Sequence, residues 1–138
     1  MTKIYVAAYK EFGDYKTLKK IFDYFLCKLD KEDVIFYVST GESGDNTCMK
    51  YIRENKYKYI DWLPQKKGKN RAEEKLQYIK DSDHAILITD GNSVGIGVAL
   101  NYACRFIVGK VVSVRIQCND LTVFQVGKKP KTKKLDEI

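Results

Sequence analysis

Two short stretches of glycine, hydroxyl and carboxylate side chains are where this chain could do chemistry. The first, Ser39, Thr40, Gly41, Glu42, Ser43, Gly44, Asp45 and Asn46, follows the apolar run Val34 to Val38 and precedes a helix-like segment, Thr47 to Glu54. The second, Asp90, Gly91, Asn92, Ser93, Val94, Gly95, Ile96 and Gly97, follows the run Ala85 to Ile88 and precedes a helix beginning near Val98. A flexible turn at a helix N-terminus leaves backbone N–H groups unpaired, and these suit a phosphate or another anion. Gly41 and Gly44 would let a ligand approach the backbone, while Ser39, Thr40 and Ser43 can donate to phosphate oxygens. Asp45 or Asn46 can cap the helix that follows, so a plain turn and cap is the competing reading.

In the second turn Ser93 and the backbone at Gly91, Gly95 and Gly97 could take a second phosphate or a ribose, with Asp90 accepting from ribose hydroxyls or simply being hydrated at a strand end. Lys10, after the first strand, and Arg71, opening a helix, are candidate counter-charges, Arg71 through a bidentate guanidinium contact. Tyr9 offers a stacking face and Trp62 a cleft wall, although core packing suits both. Glu42, Asp45 and Asp90 are the acids a hydrolytic reading would use. Neither turn is a Walker motif, and neither has the three-glycine dinucleotide spacing. The single histidine, His84, starts an apolar strand and reads as structural; no zinc pattern and no cofactor motif is present.

The elements that must position these turns alternate. Lys3 to Ala8, Val34 to Val38, Lys58 to Trp62, His84 to Thr89 and Val111 to Ile116 read as strands. Thr17 to Leu29 sets Leu18, Ile21, Phe22, Phe25, Leu26 and Leu29 on one helical face. Thr47 to Glu54, Arg71 to Lys80 and Val98 to Val108 supply further helices, with Pro64 ending the third strand and a polar loop covering 65–70. Uninterrupted apolar strands separated by helices predict an α/β, Rossmann-like three-layer domain with a mostly parallel sheet of about five strands. Both turns then lie at the carboxyl edge of the sheet, around one crevice.

A length of 138 residues with 44% apolar composition predicts one domain over 1–120. Residues 121–138 add an edge strand, Leu121 to Val126, and a basic tail. Twenty-five Lys and Arg against eighteen Asp and Glu give a net charge of +7, which attracts nucleotides and nucleic acids. Five of those lysines fall between Lys128 and Lys134. That tail reads as a solubilising end, with nucleic-acid or subunit contact as alternatives. The four scattered cysteines suit a reducing compartment. Met1 to Val6 is not a signal peptide, and no run approaches the roughly 18 apolar residues of a membrane span, so a cytoplasmic protein is expected.

The ordered set of Lys10 with Phe12, Gly13, Asp14 and Tyr15, the Ser39 to Asp45 turn, Asp61 with Trp62, Asn70 with Arg71, and the Asp90 to Gly95 turn resembles the YspA-like branch of the SLOG superfamily. Those Rossmann-like proteins adjoin the LOG and DprA types. Lys10 stands where that branch commonly has an Arg, Thr40 where it has a first glycine, and Ile96 where it has a Thr. The resemblance implies binding, sensing or sequestration of a nucleotide-derived signal such as an ADP-ribose-like molecule, with phage counter-defence as one setting, and a homo-oligomer is expected by analogy with small Rossmann-like domains that complete pockets with a neighbour. LOG-type hydrolases carry a catalytic Glu on the helix after the second turn. Here Val98, Ala99, Leu100 and Asn101 follow Gly97, so hydrolysis of an N-glycosidic or phosphate-linked nucleotide derivative is the alternative function.

Overall fold

Strands with apolar side chains on both faces need cover on both faces, and four helices supply it. The computed structural model describes residues 1–40, 43–62 and 71–138, with Ser43 as backbone only. The elements run β1 Thr2–Ala8, α1 Tyr15–Leu26, β2 Val34–Val38, α2 Ser43–Glu54, β3 Lys58–Asp61, α3 Arg71–Lys80, β4 His84–Thr89, α4 Val94–Phe106, β5 Val111–Arg115, β6 Asp120–Phe124 and β7 Lys131–Lys134. One sheet of order β3-β2-β1-β4-β5-β6-β7 contains all seven strands. The first five are parallel; β6 and β7 are antiparallel to their neighbours.

The sheet is therefore larger than the expected five strands. The apolar segment read as an edge, here β6, is an interior strand, and four residues of the basic stretch read as a tail form the true edge, β7. Lys131 pairs with Val123 and Lys133 with Leu121. An all-polar strand has no apolar alternation to reveal it, and a lysine-rich edge discourages pairing with other chains.

The core divides in two. Leu18, Ile21 and Phe22 of α1 and Ile52 of α2 pack on Ile4, Phe36 and Ile88. On the other face Ile79 of α3 and Ala99 and Ala103 of α4 pack on Tyr5, Leu87 and Val111. Ala99 (1% exposed) and Ala103 (0%) are the buried side chains by which α4 meets the sheet, together with Ile96.

The α3 start falls at Arg71 as expected, but the other three helices start upstream of where periodicity places them, two of them set by polar caps rather than apolar residues. Asp14 accepts from the Thr17 amide and moves the start of α1 to Tyr15. Ser93 accepts from the Ile96 amide and begins α4 at Val94, four residues before Val98. The segment Val94 to Gly97 is thus the first turn of a helix, not a loop. Helix α2 begins at Ser43 rather than Thr47. Pro64 and the loop 65–70 lie outside the described residues.

Candidate functional site

The chain leaves β1 toward α1 and β2 on one side, and leaves β4 toward α4 and β5 on the other, so the connections after the neighbouring strands β1 and β4 part at their carboxyl ends. Such a switch point opens a crevice. It has a volume of about 130 Å³. Tyr5, Ala7 and Ala99 line its interior, and Asp45, Trp62, Arg71, Lys75, Ser93 and Gly95 surround them. Five residues expected at a site, Asp45, Trp62, Arg71, Ser93 and Gly95, are brought together here from four different places in the sequence.

The remaining candidates are placed elsewhere or outside. Lys10 is exposed and does not line the crevice, and its carbonyl accepts from Gly44. Tyr9 is half-buried against Phe12, with burial and the nearby Asp90 carboxylate pushing its phenol upward, so it stays protonated. The Thr40 amide and hydroxyl both donate to the Asp61 carboxylate. Ser39 is buried, and its Oγ has no hydrogen-bond partner. Gly91 holds a positive φ of 88°, and a Cβ there would meet the Gln117 side chain. A Cβ on Gly97 would meet open space, so no close approach requires that glycine. Gly41, Glu42 and the Ser43 side chain lie outside the described residues.

The two helix starts differ in where their backbone amides go. At α2 the Gly44 N–H donates to the Lys10 carbonyl (3.1 Å), the Asp45 carboxylate accepts from the Ala8 amide (3.1 Å), and the Thr47 hydroxyl donates to the Phe12 carbonyl (3.1 Å). A Cβ on Gly44 would stand 2.0 Å from the Tyr9 carbonyl oxygen, so only glycine permits this contact. The described part of the first turn braces the loop after β1; its Gly44 amide is not spare for an anion.

At α4 the Asp90 carboxylate accepts from Asn92 (2.9 Å) and Ser93 (3.0 Å), the Thr89 hydroxyl accepts from Gly91, and Ser93 takes the Ile96 and Gly97 amides. Val94 and Gly95 supply the first two N–H groups of the helix, which no intrahelical carbonyl can reach, and they donate to no described residue. Gly95 lines the crevice.

Three further donors converge there. Arg71 lies over Trp62, its guanidinium carbon 6.0 Å from the ring centroid, and Trp62 stacks on Tyr5 at 6.1 Å. Trp62 is 5% exposed, yet its Nε1–H has no partner. An unpaired buried donor costs about 1–3 kcal/mol, a cost that a bound acceptor would remove. Lys75 Nζ donates weakly to the Gly95 carbonyl at 3.4 Å. Burial and the Asp45 carboxylate push the Tyr5 phenol far up while Arg71 opposes them, so Tyr5 is a neutral hydroxyl between opposite charges.

Lys75 and Tyr5 escape a reading of the sequence. Lys75 stands four residues after Arg71 on α3, and that spacing was the available signal for it. Tyr5 sits in a strand apolar on both faces, where no alternation marks it.

Among the described residues, no group of three or more His, Cys, Asp or Glu side chains is disposed to hold a metal, and no helix is long and apolar enough to cross a membrane. No family model, curated protein or solved structure matches the chain.

Proposed function

We propose that the chain binds a nucleotide-derived ligand of the ADP-ribose-like class, for sensing or sequestration, with a phosphate in the crevice over β1 beside α3 and the start of α4. One observation carries this reading: Gly95 with its open amide, Arg71, Lys75 and Trp62 with its unpaired indole N–H line one concavity, and the open Val94 amide is next to Gly95 in the chain. Donors and positive charge with a helix N-terminus suit a phosphate. A volume of about 130 Å³ is well below the roughly 300 Å³ at which small-molecule pockets begin. The crevice therefore takes the anionic group, and the remainder of the ligand extends over the rim by Tyr9 and Lys10.

Binding is favoured over hydrolysis because the described candidate acids already hold backbone: Asp45 takes the Ala8 amide and Asp90 takes two. A carboxylate fixed in this way is poorly disposed to shuttle protons. The test is a calorimetric titration with AMP, ADP, ADP-ribose and NAD, followed by mass spectrometry of the recovered ligand. Salt-sensitive binding, weakened about tenfold or more in Arg71→Ala, with the ligand recovered intact, is the expected result. No heat with any of the four overturns the proposal, and conversion of the ligand would transfer it to the hydrolase alternative.

A further inference from the structure

The opposite end of the sheet carries a second concavity with different chemistry. It has a volume of about 380 Å³, roughly three times that of the crevice, and lies between the end of α1 and the amino ends of β4 and β5. Its walls are the rings of Tyr24, Phe25 and His84 with the aliphatic Leu29 and Val123. Phe25 and His84 meet edge to face at 5.7 Å.

Lysines rim this apolar hollow. Lys28 and Lys110 line it directly. Lys131 and Lys133 share its face of the sheet, because cross-strand partners point the same way and theirs are Val123 and Leu121. Lys133 Nζ stands 5.7 Å over the Tyr24 ring and donates to its hydroxyl at 3.3 Å. Pairing in β7 fixes the two strand lysines in place. Asp83, the carboxylate next to His84, is committed to the Lys3 amide at 2.9 Å.

His84 adds a directional group. Its Nδ1 accepts from the Lys110 amide at 2.8 Å, which puts the proton of a neutral ring on Nε2. Burial lowers the basicity of this imidazole and keeps it neutral. The Nε2–H is thus a donor in a mostly apolar wall, suited to a carbonyl.

We infer that this end of the molecule binds single-stranded nucleic acid, with one unstacked base in the hollow among Tyr24, Phe25 and His84 and the flanking phosphates on Lys28, Lys110, Lys131 and Lys133. Aromatic faces beside a positive track are the two parts of single-strand binding, and a carbonyl-bearing base meets the His84 donor. A duplex cannot place a base in the hollow without unpairing it, and an acidic peptide would use the lysines but leave the aromatic cavity empty.

The experiment is fluorescence anisotropy with a labelled twelve-nucleotide oligouridine, a duplex of equal length and polyglutamate as competitor, over a range of salt concentrations. Tightest binding of the single strand is expected, with affinity falling as salt rises. The Lys131→Glu and Lys133→Glu double variant should bind at least tenfold more weakly and flatten the logarithmic salt slope by about 1.4, or ~0.7 for each phosphate no longer neutralised. Phe25→Leu, and Cys27→Trp filling the cavity from its exposed lip, should each weaken binding severalfold while leaving that slope unchanged. Arg71→Ala should have no effect. Equal binding of duplex, equal competition by polyglutamate, indifference to both cavity variants, or loss of binding in Arg71→Ala would each overturn the inference.

Discussion

The two glycine turns look alike in composition and behave differently in three dimensions. At α2, Gly44 gives its amide to Lys10 and presses against the Tyr9 carbonyl, so the turn joins a helix to the loop after β1. At α4, Asp90, Thr89 and Ser93 satisfy the amides around the helix start and leave those of Val94 and Gly95 open, with Gly95 in the crevice beside Arg71 and Trp62. Glycine is thus required at the first for packing and, in the second, at Gly91 for its positive φ, while Gly95 and Gly97 have room for a Cβ. The position of neighbouring carbonyls, not the motif, decides which helix end is available to a ligand.

Substitutions can break this contrast. Gly44→Ala should have the largest effect, destabilising the fold by about 3 kcal/mol, because the new Cβ collides with backbone that cannot yield as a side chain would. Urea denaturation measures it, and an unchanged midpoint would remove the structural role. Trp62→Phe should cost roughly tenfold in nucleotide affinity by deleting the donor hydrogen bond. Its effect on the unliganded fold should be small, because the weaker packing is offset by removal of an unpaired buried N–H. Calorimetry and melting together read this separation.

Gly95→Ala reverses the pattern of Gly44→Ala. Its Cβ would stand an ordinary 3.6 Å from Lys75 Nζ, and alanine suits a helix better by about 0.5–1 kcal/mol, so stability should hold or rise. Ligand affinity should fall, since the methyl enters the crevice.

The smallest effect concerns acid. The Tyr37 hydroxyl and Lys3 hold the Asp81 carboxyl below its usual 3.8, and Arg115 does the same for Asp120. A carboxyl depressed in the folded state contributes stability that is fully present above the unfolded value and lost as pH falls through the folded one. Denaturant midpoints should therefore be flat near neutrality and decline below the ordinary carboxylate range. Asp81→Asn should flatten the decline slightly, as befits an exposed pair. Arg71→Ala should leave the profile unchanged, which assigns acid sensitivity to the frame rather than to the crevice.

The frame was largely legible. Val34 to Val38, Ala85 to Ile88 and Val111 to Val114 are unbroken apolar runs but for Ser113, and Leu18, Ile21, Phe22 and Leu26 mark the buried stripe of α1. Strand β7 was not legible, because Lys131, Thr132, Lys133 and Lys134 gain their structure only from pairing with β6. Of the crevice, Asp45, Trp62, Arg71, Ser93 and Gly95 could be named from residue type and order alone. That the Gly44 amide is occupied could not be read, since its acceptor is the Lys10 carbonyl, far upstream in the chain, whose position follows from tertiary packing.

Titrating ADP-ribose into ¹⁵N-labelled protein and following backbone amides tests the difference between the helix starts most directly. The Val94 and Gly95 resonances, with the Trp62 indole N–H, should move in proportion to occupancy while Gly44 stays in place. Movement of Gly44 with Val94, Gly95 and the indole unmoved would contradict the account and put the ligand at α2.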